Sequence, residues 1–142
     1  MGTITVQAAE RMEREEEPLA DVLPGRRAHG YRQQHPLAGR HRPDVALVVM
    51  NCTDVELSQF SSKDSPQIHI GLSMSGKVNV TQLTITAPEN SPNTDGVHVD
   101  RSEDVHITGS TIGTGDYCIS IGPGSRFVTV DGIVCGPGHG VR

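Results

Sequence analysis

Two carboxylates and an imidazole recur at nearly constant spacing in the second half of the chain: Asp95, Asp116 and His139, separated by 21 and 23 residues. Such a trio suits acid–base chemistry. One carboxyl group can donate a proton, another can accept one, and an imidazole can orient or tune either. Spacing alone leaves a second reading open. Asp and Gly are ordinary turn residues, and Asp95-Gly96, Gly115-Asp116 and Gly138-His139-Gly140 would serve turns equally well. The elements between them decide whether the three can meet.

From Ala46 onward, short alternating apolar segments return in a fixed order. One set is Val48, Ile68/Ile70, Val97/Val99, Ile119/Ile121 and Val141. A second is Val55/Leu57, Val78/Val80, Val105/Ile107 and Val128/Val130, and a third is Phe60, Leu83/Ile85, Ile112 and Ile133. Three segments per repeat of roughly 20 to 30 residues predict a β-solenoid, in which stacked coils align as parallel strands around a narrow core. An antiparallel sandwich is the competing architecture. Its two-residue hairpin turns are mostly missing, Asp95-Gly96 and Asp131-Gly132 being the exceptions. The expected fold is all-β, a parallel β-helix of three to four coils over residues 46–142. Asp95, Asp116 and His139 then each precede the first strand of a coil. With strands roughly 4.8 Å apart, they form a short column at one corner.

Composition agrees. Of 142 residues, 35% are hydrophobic and only 3% aromatic, with no Trp, so a core must be built from Val, Ile and Leu. The formal net charge of −5 falls wholly in residues 46–142, with 5 Lys+Arg against 10 Asp+Glu. That disfavours a nucleic-acid partner, which needs a clustered positive face. No run approaches 18 apolar residues, so no membrane partner is expected. Residues 1–45 differ: they are rich in Arg, Glu, Pro and Gly and show no sustained period. They read as an irregular or disordered arm, with a short polar helix considered around residues 8–17. No secretory signal is visible there, because Glu13, Glu15, Glu16 and Glu17 occupy the place of its apolar stretch.

Three segments then carry a resemblance. Ser91-Pro92-Asn93-Thr94-Asp95-Gly96-Val97, Gly113-Thr114-Gly115-Asp116-Tyr117-Cys118 running on to Gly122, and Cys135-Gly136-Pro137-Gly138-His139-Gly140 are similar to successive motifs of plant polygalacturonases. Asn51-Cys52 and Ser65-Pro66-Gln67-Ile68-His69 extend the similarity over residues 46–142. These pectin-cleaving enzymes belong to glycoside hydrolase family 28, and the resemblance implies a right-handed parallel β-helix. It further implies that Asp95 is one of two aspartates that activate the attacking water. Asp116 would be the general acid, and His139 would support the acid and contact the sugar. Hydrolysis would invert the anomeric carbon, with pectin or polygalacturonate as the partner and a place outside the cell, in the wall. Separately, the chain, if folded, is expected to be a monomer.

Two departures stand out. The second aspartate of the family's Asp-Asp pair is Tyr117 here, and a phenol, protonated at mildly acidic pH, is a poor base and bulkier than Asp. The family's Arg-x-Lys motif does not occur before the last residue, Arg142. Both lead to the expectation of impaired hydrolysis through Tyr117 and C-terminal truncation. The alternative is a catalytically inactive pectin-binding or structural β-helix remnant. Cys118 and Cys135, nearly one coil apart, match a disulfide of the family, reduced thiols being the other possibility. Cys52 is left over as a small apolar residue. No Cys/His pattern has zinc spacing, so neither metal nor cofactor is expected. Asn51-Cys52-Thr53 and Asn79-Val80-Thr81 are glycan acceptor patterns, Asn79 being the better placed because Val80 should point inward. His69 and His98, alternating with apolar strand residues, are expected on the outer face of one sheet.

Overall fold

Branched apolar side chains at every second position favour extended backbone that buries one face. Among the described residues (4–7, 11–12 and 45–142), every regular element of the computed structural model is accordingly a strand. One sheet is formed by β1 (Ile4–Gln7), β4 (Thr53–Ser58), β7 (Gly76–Thr81), β10 (Glu103–Thr108) and β13 (Arg126–Asp131), in that order. A second holds β2 (Arg11–Met12), β5 (Ser61–Lys63), β8 (Thr84–Thr86), β11 (Thr111–Gly113) and β14 (Val134–Cys135). The third holds β3 (Val45–Met50), β6 (Ile68–Ser73), β9 (Val97–Asp100) and β12 (Ile119–Ile121). Every pairing is parallel between consecutive coils, which makes a β-helix of about four turns.

The second sequence set stacks as read. Val55, Val78, Val105 and Val128 share one row, and Leu57, Val80, Ile107 and Val130 another. The third set divides: Ser62, Ile85 and Ile112 form one row, and Phe60 and Leu83 sit two residues earlier in their coils. The first set is shifted. Leu47 and Val49 pair with Ile70 and Leu72, which pair in turn with Val97 and Val99. Val48 therefore does not point inward as expected; it lies opposite Gly71 on the outer face. Ala46-Leu47-Val48-Val49 is uniformly apolar, so alternation cannot set its parity, and the neighbouring coil does.

Within residues 1–45, β1 and β2 pair in parallel with β4 and β5. The remainder of the arm, and most of the helix considered for 8–17, lies outside the described residues; Arg11–Met12 within that stretch is strand.

Two of the three corners are tightly specified. After the third sheet the chain turns at Asn51, Met74 and Arg101 (φ 54°, 49° and 45°), and after the first sheet at Gln59 and Gln82 (φ 58° and 54°). These left-handed backbones are unfavourable for residues with a Cβ. Each is held by a bond to the next coil, such as Asn51 N–H to Ser73 O at 3.1 Å and Gln59 N–H to Thr81 O at 3.1 Å. Buried serines complete the first of these corners. Ser75 Oγ accepts from Cys52 N–H and Ser102 Oγ from Ser75 N–H, each at 3.2 Å. The third corner is different. It comprises residues 64–67, then 87–96, then 114–118, so the middle coil is longer: Cys52 and Ser75 are 23 residues apart, Ser75 and Ser102 are 27. Asp95 closes the long version of this corner and Asp116 lies in the next.

Candidate active site

At the third corner, successive coils touch closely. A Cβ on Gly96 would collide with Ile112 Cγ2 and lie 2.5 Å from Cys118 O, so only glycine lets Asp95 sit against the coil above. Gly96 N–H donates to Tyr117 O at 2.9 Å, and Asp95 O accepts from His69 N–H at 3.0 Å. The carboxylate of Asp95 accepts from Tyr117 N–H through Oδ1 at 3.2 Å, and its Oδ2 lies 3.6 Å from His98 Nδ1. One coil on, Asp116 Oδ1 is 3.1 Å from His139 Nδ1, and His139 N–H donates to Asp116 O at 2.8 Å. Side-chain exposure is 14% for Asp95, 24% for Asp116 and 66% for His139. The two acids are thus half-sheltered and the histidine is open.

Asp95 and Asp116 line one groove of about 510 Å³ that runs across the outer face of β3, β6, β9 and β12. Val48, Ile68 and Ile121 supply apolar floor, and His98, Asp100, Ser120 and Arg142 supply polar groups. Three carboxylates in one groove make it electronegative. Asp100 is countered by Arg101, whose Nε lies 2.8 Å from its Oδ2. His139 is brought to Asp116 but stands at the rim. Tyr117 joins the parts: its backbone N–H holds Asp95, its ring meets the His139 ring at 5.5 Å edge-on, and Arg142 Cζ lies 5.2 Å from its ring centroid. Cys118 and Cys135 are joined as a disulfide with Cα atoms 5.8 Å apart, tying the Asp116 corner to β14 and the turn that bears His139.

His98 is on the groove face, as alternation indicates. His69 is not on the outer face. It is fully buried, its Nδ1 2.8 Å from Ser62 Oγ. His69 and Ile70 both turn into the core where the chain enters β6, so strict alternation fails at that entry. Burial lowers the His69 pKa from 6.5 to about 4, opposed by the nearby Asp64 charge. Cys52 packs as a buried free thiol. Arg142, not singled out from sequence, had a signal. Val141 bridges Ile119, which puts the next residue beside Ser120 on the outer face.

A chemical reading now has its geometry: two largely sheltered carboxylates on one groove, Asp116 bonded to His139 and Asp95 lying 3.6 Å from His98. Residues 29–142 match the model of the glycosyl hydrolases family 28. A polygalacturonase of Persea americana is 45% identical over 97 residues, covering 68% of this chain and 21% of that protein. An exopolygalacturonase of Arabidopsis thaliana is 43% identical over 99 residues, 70% of this chain and 24% of the relative. A polygalacturonase of Medicago sativa is 51% identical over 81 residues, 57% and 19%. The chain spans about a fifth to a quarter of the length of these relatives. With four-fifths of its length matched and its strands wound as a parallel β-helix, the chain belongs to glycosyl hydrolases family 28.

Proposed function

We propose that the groove acts on the α-1,4-linked galacturonan of pectin, by inverting acid–base hydrolysis, in the extracellular setting of a plant cell wall. The observation that carries this reading is the placement of Asp95 and Asp116 on one groove, with Asp116 bonded to His139. Asp116 donates its proton to the glycosidic oxygen as the bond to the anomeric carbon breaks. Asp95 takes a proton from the water that attacks that carbon from the opposite side. An inverting pair needs room for this water, which sets its carboxyl groups about 6.5–9.5 Å apart. His139 orients Asp116 through Nδ1. Tyr117 contributes no second carboxylate, so Asp95 activates water alone and turnover is slowed.

The test is reducing-end release from polygalacturonate by residues 1–142. Asp116→Asn should lower the rate by roughly 10²-fold or more, the range for losing a positioned acid. Release that persists in this variant overturns the assignment. The second reading is a groove that binds galacturonan without cleaving it, favoured by the packing of Tyr117 between His139 and Arg142. Retention on polygalacturonate without any release would establish it.

A further inference from the structure

A polyanion entering this groove meets Asp95, Asp100 and Asp116, and repulsion must be offset by a cation placed where the ligand lies. Arg101 is engaged with Asp100 and does not line the groove. Arg142 is the one lysine or arginine that does, among the described residues. It lies beside Ser120 on the outer face of β12, its guanidinium over the Tyr117 ring at 5.2 Å. No ion pair among the described residues involves Arg142. A guanidinium stacked on an aromatic face is oriented while its in-plane N–H groups stay available. That fork fits a carboxylate in two parallel hydrogen bonds. The ring that supplies this seat is Tyr117, the residue that stands where the resemblance calls for an aspartate.

We propose that Arg142 takes a uronate carboxylate in the groove and that Tyr117 is the positioning residue that holds it there. The inference rests on the galacturonan reading above. The coil has exchanged a water-activating group for a carboxylate-recognising pair, so gain of ligand selection and loss of catalytic rate have one structural origin.

The experiment is calorimetric binding of trigalacturonate and of its methyl ester, in an Asp116→Asn background so that the ligand persists. The parent should prefer the acid. Arg142→Gln should weaken acid binding about tenfold and leave the ester unchanged. Tyr117→Phe, which keeps the ring, should bind as the parent does, and Tyr117→Ala should behave like Arg142→Gln. If Arg142→Gln matches the parent while the acid is still preferred, the inference is overturned and the galacturonan reading stands. Equal loss of acid and ester would show a general disturbance of the groove and overturn the inference too. If the parent binds neither ligand, both readings fall.

Discussion

Tyr117 holds Asp95 with its backbone, meets the His139 ring edge-on and seats Arg142 on its own ring. Tyr117→Asp should therefore raise two kinetic quantities together, one favouring turnover and the other weakening substrate binding. kcat should rise, on the order of tenfold or more, because a second carboxylate reaches the water. KM for polygalacturonate should rise as well, because Arg142 loses its seat; steady-state kinetics with both values separated checks this. His69 acts on stability instead. Its folded pKa of about 4 lies below the ordinary 6.5, so the unfolded chain takes up a proton first as pH falls. The stability linked to this residue is whole above about pH 6.5 and declines toward pH 4, by on the order of 3 kcal/mol in total. Thermal unfolding from pH 7 to 4 should show the decline, and His69→Gln should remove that part of it. The placement of Asp95, Asp116 and His139 at one corner was legible because the period of the strands brings those positions together. His69 was not, because its inward turn depends on the Ser62 hydroxyl of a neighbouring strand.

Strands and corners differ in how openly they are written. Val78-x-Val80 and Val105-x-Ile107 declare both face and register, and they pair as read. Ala46-Leu47-Val48-Val49 declares only that it is apolar, so its facing had to come from β6. The corners at Asn51, Met74 and Arg101 carry no common residue type, and their shared left-handed backbone is held by bonds between coils that sequence does not display. The disulfide acts at this scale. It closes a separation of 17 residues, and such a loop contributes about 3 kcal/mol by restricting the unfolded chain. Cys135→Ser should lower the unfolding midpoint accordingly, and reductant should destabilise the parent but not the variant. Gly96→Ala should be more damaging than its size suggests, because the added methyl meets Ile112 and the Cys118 carbonyl together. Circular dichroism melts will show whether it is the less stable of the two.

For the molecule as a whole, stability is a sum over neighbouring coils, and the coils are not equally enclosed. Val78 is fully buried, while Val128, in the same row on the last of the first-sheet strands, is only partly so. Identical truncations should separate accordingly. Val78→Ala should destabilise by about 2 kcal/mol and Val128→Ala by about 1 kcal/mol or less, measured by denaturant unfolding of residues 1–142. Equal losses would mean that the last coil is enclosed in solution. Among the described residues no helix is long and apolar enough to cross a membrane.

The corner after the first sheet keeps two residues in every coil, and the corner after the third sheet departs from two residues only at 122–125. The third corner already differs between 64–67, 87–96 and 114–118 while all three sheets keep register. Core and groove are therefore uncoupled in coding terms. Residues inserted near Glu89 and Asn90, both exposed, would reshape the rim above Asp95 and leave the valine and isoleucine rows undisturbed. This corner is the natural place to graft a new sugar-contacting loop, and the site can diverge along it at little cost to the scaffold that carries it.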